Sequence, residues 1–225
     1  MLDILYEDDD LIAINKPHGL LVHRSSIASD THEFALQLLR DQIQQTVYPT
    51  HRLDRKTGGI LLFAKNKEVD SLTQQLFASK RIAKIYWAIV RGYTDDTGTI
   101  DYPLRKENGK LQDAVTHYRT LSRAEIDLPF GRHATSRYAL VEIRPETGRM
   151  HQIRKHLAHI FHPILADRPH GCNKQNKLWK ERFGMDTMML HARQLIFIHP
   201  RTQQEIIIEA PLFTAFKRVR HILSL

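Results

Sequence analysis

The chain has 225 residues, 42% hydrophobic and 26% charged, which is enough apolar material for a folded core and argues against disorder. Its 33 Lys and Arg against 25 Asp and Glu give a net charge of +8, a balance that favours polyanionic partners. Apolar runs such as residues 60–64 and 195–198 fall far short of the ~20 residues of a membrane helix, and Cys172, the only cysteine, excludes an intrachain disulfide and a cysteine-only zinc site.

The start, Met1-Leu2-Asp3-Ile4-Leu5-Tyr6-Glu7, has neither the basic residues nor the apolar stretch of a secretion signal, so a cytoplasmic protein is expected. Residues 5–6 and 11–15 read as strands across an acidic turn, and Lys16-Pro17-His18-Gly19 ends the pairing. Apolar residues at helical spacing predict helices over 34–43 and 69–77, with a buried strand at 60–64 directly after Lys56-Thr57-Gly58-Gly59. Residues 84–90 alternate as a strand does, and further strands are expected at 115–121, 137–144, 195–199 and 205–209. Met150, Ile153, Leu157 and Ile160 step by three or four, which predicts an amphipathic helix over 148–161. No repeat and no Gly, Ser or Pro linker divides the chain, so a single domain over residues 1–225 is expected.

Chemistry gathers in two segments. Residues 50–59, THRLDRKTGG, set one carboxylate, Asp54, among His51, Arg52, Arg55 and Lys56; such a field favours the ionised acid, either as a nucleophile or base or as one half of a surface ion pair. Residues 146–156, ETGRMHQIRKH, deliver a basic helix start from a glycine turn, where Arg149 and Arg154 make either an anion site or a solvated face. Histidines 151, 156, 159 and 162 lie close in sequence, but no H-E-x-x-H pattern occurs and the nearby acids are only Glu142 and Glu146, so no metal is expected. No Walker loop or G-x-G-x-x-G is present, so no nucleotide cofactor is expected either. Tyr86 is either a core aromatic of its strand or a platform on which a base stacks.

From Leu5 to about Pro211 these segments resemble the RluA family of pseudouridine synthases. Asn15-Lys16-Pro17-His18-Gly19-Leu20-Leu21-Val22-His23 is similar to its first motif, His51-Arg52-Leu53-Asp54-Arg55-Lys56-Thr57-Gly58-Gly59 to its catalytic motif, and Lys84-Ile85-Tyr86 to its tyrosine strand. Residues 147–158 and Leu190-His191-Ala192 complete the series. The resemblance implies an α/β (α+β) fold with a central mixed, largely antiparallel sheet, flanking helices and a catalytic cleft, without the accessory N-terminal RNA-binding domain of some relatives. It implies a catalytic Asp54 and substrate-binding Arg52, Tyr86 and Arg154: Arg154 pairs with Asp54, Arg52 fills the space left by a flipped nucleotide and Tyr86 stacks on the uracil. Lys16, Arg149 and the basic C-terminal helix are expected to hold phosphates.

Two positions depart from the family pattern: Gly58 stands where serine is usual, and Ala166 where a glycine normally precedes the aspartate, here Asp167. Asp101-Tyr102-Pro103-Leu104, residues 114–119 and the insert 131–138 look most like family members that modify uridine 65 of tRNA. The expected partner is therefore RNA, specifically tRNA, acted on by a monomer with no membrane and no obligate protein partner. An rRNA-modifying synthase of the same family and a noncatalytic RNA-binding protein are the alternatives.

Overall fold

The computed structural model describes residues 1–23 and 33–225. Strands β1 (Asp3–Glu7) and β2 (Leu11–Lys16) form the opening hairpin, whose turn is set by Asp8: its Oδ1 accepts the amides of Asp10 and Leu11 at 2.8 and 2.6 Å. Helix α1 (Ala35–Ile43), the short β3 (Tyr48–Pro49) and the fully buried β4 (Gly58–Ala64) follow. Helix α2 (Lys67–Ala78) starts at Asn66, whose side chain accepts the amide of Val69, with Glu68 and Asp70 in the positive first turn. Next come β5 (Ala83–Arg91), β6 (Thr97–Asp101), the small ribbon β7 (Leu104–Arg105) and β8 (Leu111–Gln112), and the long hairpin β9 (Val115–Ile126) and β10 (Ser136–Pro145). Helices α3 (Gln152–His159) and α4 (Asn173–Phe183), strands β11 (Leu190–Ile198) and β12 (Glu205–Glu209), and helix α5 (Thr214–Leu223) complete the chain.

The fold is mixed α/β with mostly antiparallel strands, and contacts group the residues into two compact units. Unit one comprises Met1–Lys84 and Ala192–Phe213, unit two Ile85–His191 and Thr214–Leu225. The chain passes from one to the other three times, inside β5, inside β11 and at Phe213–Thr214 where α5 begins. None of the helices among the described residues is long and apolar enough to cross a membrane.

In unit one the strand order is β1-β2-β4-β11, with β12 on β11 and β3 on β4. Leu11 and Ala13 of β2, Ile60, Leu62 and Ala64 of β4, and Leu195 and Phe197 of β11 point to one face and pack with Val69 of α2. In unit two the order is β5-β10-β9-β6. There Tyr138 of β10 anchors α4: its hydroxyl accepts Trp179 Nε1–H at 2.7 Å and Gln175 Nε2–H at 2.9 Å, with the Tyr138 and Trp179 rings edge to face.

Most expected elements are present with ends moved by a few residues, but two helices differ. Helix α3 begins at Gln152 rather than Gly148, because His151 is left-handed (φ 56°) and the Gln152 side chain turns back to accept the amide of Arg149 at 3.0 Å. Helix α4 lacks a clear apolar period because its buried Gln175 is satisfied by a hydroxyl rather than by apolar packing.

Gly59 opens β4 with φ 106°, and a Cβ there would lie 2.2 Å from the carbonyl oxygen of Ala192. Left-handed strain and overlap with a backbone atom act together, so Gly59→Ala is expected to destabilise the chain by roughly 3 kcal/mol or more in urea unfolding. A loss below about 1 kcal/mol would show that the two backbones separate easily.

Candidate active site

The loop from Thr50 to Thr57 leads into β4 and is pinned at both ends. At its start the Thr50 amide and Oγ1 both donate to the Leu62 carbonyl, at 3.1 and 2.9 Å. His51 Nε2 accepts the Leu62 amide at 3.0 Å, which requires a neutral ring; burial pushes the His51 pKa down to about 4, with the charge of Lys84 acting in the same direction. At its end the Gly19 amide donates to the Arg55 carbonyl at 2.9 Å, Arg55 Nε returns a bond to the Gly19 carbonyl at 3.1 Å, and the Thr57 amide closes a turn on the Asp54 carbonyl. Asp54 sits half-buried at the bend and Arg52 is exposed.

Lys16 binds this arrangement together. It ends the buried strand β2 at 1% exposure, and its Nζ donates to the carbonyls of Pro17, Leu20 and Arg55 at 3.0, 2.8 and 3.2 Å. Burial pushes its pKa down to about 7, while the negative charge of Asp54 opposes that shift. The expected phosphate contact is thus corrected: three carbonyls engage the ammonium, and no side-chain surface is left to meet a ligand. Sequence reasoning missed this role because charge marks a lysine as a surface contact, and nothing in Lys16-Pro17-His18-Gly19 reports the carbonyls around it.

Tyr86 and Arg154 belong to unit two, whereas Asp54 and Arg52 belong to unit one. Tyr86 lies half-buried on β5, opposite Ile143 of β10. Arg154 of α3 is held in a fork by Asp167, Nε to Oδ2 at 2.7 Å and Nη2 to Oδ1 at 2.8 Å, with the two side chains 5% and 1% exposed. Asp167 is placed in turn by Asn176 of α4, which accepts the Ala166 amide at 2.9 Å and donates to the Asp167 carbonyl at 2.8 Å. Ala166 has φ 62°, so the glycine usual there is the conformationally free choice and the alanine carries strain of about 1 kcal/mol. Gly58 is buried as the first residue of β4, next to a loop whose restraints come from Thr50, His51 and Lys16.

Ahead of α3, Gln152 Oε1 takes the Arg149 amide and the Thr147 hydroxyl, and Arg149 Nε donates to the Asp113 carbonyl. The nearby histidines serve the structure. His156 bonds to the Thr116 hydroxyl and the Tyr102 carbonyl, and burial lowers its pKa; His159 stacks on Tyr102 at 3.7 Å; His162 Nδ1 donates to the Arg91 carbonyl. Among the described residues, no group of three or more His, Cys, Asp or Glu side chains is arranged to hold a metal.

The family model for RNA pseudouridylate synthase matches residues 10–159. A tRNA pseudouridine synthase C of Haemophilus ducreyi is 49% identical, the alignment covering 94% of this chain and 91% of that protein. A protein of the same name from Vibrio cholerae is 46% identical over the same shares. Among solved structures, human RNA Pseudouridylate Synthase Domain Containing 4 superposes with a TM-score of 0.75 at 28% identity, covering 99% of this chain and 93% of that one.

Lys16→Met would take the Nζ donor from the Pro17 and Leu20 carbonyls and leave the Arg55 carbonyl only the Gly19 amide, and a stability loss of about 2–4 kcal/mol is expected. The pH dependence has a definite sign. With a folded pKa near 7 and an unfolded value of 10.5, the unfolded chain holds the extra proton between those limits. Lys16 therefore adds stability as pH rises through that window, at up to about 1.4 kcal/mol per unit. Urea unfolding from about pH 7 to about pH 9 should show the gap between parent and Lys16→Met widening; a constant gap would contradict the depressed pKa.

Proposed function

The chain belongs to the RNA pseudouridylate synthase family and is an enzyme that isomerises uridine in RNA; from that premise we propose that it acts on tRNA at position 65, with Asp54 as its catalytic carboxylate. Isomerisation must break the N-glycosidic bond, turn the uracil while retaining it, and join carbon to carbon on the same sugar. No net oxidation occurs, so one ionised carboxylate suffices. It either attacks the sugar or base to form an adduct or removes a sugar proton to give a glycal.

The observation that carries the reading is the restraint on Asp54. It is the only acid between residues 50 and 59, in a loop fixed through Leu62 on one side and Arg55 on the other, with the Lys16 charge within electrostatic range. A carboxylate so placed changes position little during reaction, which is what a nucleophile or base requires. A uridine stacked in a helix is out of reach, so it must be flipped out at a cost of a few kcal/mol. Arg52, exposed beside Asp54, occupies the vacated space; Tyr86 stacks on the extruded uracil; and Arg154, its guanidinium plane fixed by Asp167, binds the substrate side of the reaction. The enzyme works as a monomer in the cytoplasm, where its tRNA substrate resides.

The names of the similar proteins support tRNA as the substrate, and the segments at residues 101–104, 114–119 and 131–138 support position 65. Mapping pseudouridines across total RNA with and without the gene tests both points. Loss of the modification at tRNA position 65 alone is expected; an unchanged position 65 with a loss elsewhere would refute the assignment.

A further inference from the structure

The excess positive charge of this chain is not spread evenly. Unit one carries 13 Lys and Arg against 13 Asp and Glu, and unit two carries 20 against 12, so the whole net charge of +8 belongs to unit two. Within unit two, α4 (NKQNKLWKERF) holds four basic residues against one acid, and α5 (TAFKRVRHIL) holds three against none. These two helices thus account for +6 of the +8. The structure places them side by side: Arg218 of α5 donates to the carbonyl of Phe183, the last residue of α4, at 2.6 Å.

Structural duty does not use this charge up. A helix C-terminus offers about half an elementary negative charge, which one cation answers, and Arg218 is that cation for α4. Lys177 pairs with Glu181 at 3.7 Å and Lys180 with Asp186 at 3.4 Å, but these side chains are 59–78% exposed and such pairs are weak and screened. The arginines of the β9–β10 face are better matched: Arg119 and Arg144 share Glu142, Arg123 pairs with Asp96 and Arg137 with Glu125, at 2.6–3.3 Å, so four cations there meet three acids, whereas α4 and α5 together hold seven cations and one acid. Trp179 of α4 and Phe216, Val219 and Leu223 of α5 are buried, Leu178, Phe183 and Ile222 are half-buried, and neither helix exposes a large hydrophobic side chain as a membrane-bound helix would.

We propose that the outer faces of α4 and α5 form one docking surface for the phosphate backbone of RNA, using residues other than those that act on the target uridine. The inference rests on the reading that the substrate is RNA and adds where the body of that RNA is held. The contacts are electrostatic and independent of base sequence, so they strengthen binding and set register without choosing the uridine. Asn176 ties α4 to Asp167, the partner of Arg154, so RNA docked on α4 bears on a helix that supports a substrate-binding residue.

The test is tRNA affinity against salt for the full chain and for Lys177→Gln/Lys180→Gln/Lys217→Gln. Each phosphate contact contributes ~0.9 to the slope of log K against log salt. The triple variant should bind tRNA roughly 10- to 100-fold more weakly near physiological salt, with a slope shallower by about 2 to 3. Arg119→Gln, which removes a carboxylate-paired charge, should leave the slope within about 0.5 of the parent. If the triple variant does not fold, Lys177→Gln alone, at a site 78% exposed, should lower the slope by about 1. An unchanged slope in the lysine variants overturns the proposal, as does lysine-dependent capture by phosphatidylserine-containing vesicles with tRNA binding unaffected. Failure of the parent chain to bind tRNA would instead overturn the reading of the substrate.

Discussion

An ammonium group shut away from water must find its hydrogen bonds inside the protein, and Lys16 finds three at the carbonyls of Pro17, Leu20 and Arg55. That requirement shapes the surrounding chain. Strand β2 has to stop at Lys16, the segment through Gly19 has to curl so that its carbonyls converge, and Arg55 has to bring its own carbonyl to the same point. Asp54, one residue earlier, is carried into place as a result, and its negative charge favours the protonated amine. The carboxylate is therefore positioned by backbone geometry that other residues enforce, without a rigid element of its own.

Much of this was legible in the sequence, and the boundary of what was legible is physical. Alternation and helical spacing report burial, so β2, β4, β5, α1 and α2 were expected close to where they lie. Periodicity says nothing where a buried face is polar, which is why α4, with Gln175 turned inward onto Tyr138, gave no signal. The start of α3 was misplaced because a side chain, Gln152, and not the periodic apolar residues, decides where the helix begins. Asp54 was marked by its basic neighbours and by family resemblance, whereas charge type alone misassigned Lys16. A lysine reads as a surface contact until three carbonyls are seen around it.

The same contrast runs through the electrostatics. Unit one is neutral overall and contains the loop of the proposed catalytic carboxylate, while unit two carries the entire net charge and concentrates it on two helices. Positive charge that is buried or carboxylate-paired, as at Lys16, Arg154 and the arginines of β9 and β10, builds the structure. The solvated charge of α4 and α5 is what remains to attract a polyanion. A net charge of +8 thus understates how strongly one surface is biased.

The account turns on Asp54 acting in chemistry and not as a structural ion pair. Release of tritium from C5-labelled uridine in tRNA, measured under single-turnover conditions with Asp54→Asn, tests this most directly. The amide keeps the shape of the side chain and removes its nucleophilic and basic character. Loss of tritium release with RNA affinity within a few fold of the parent is the expected result; turnover at the parent rate would contradict the account.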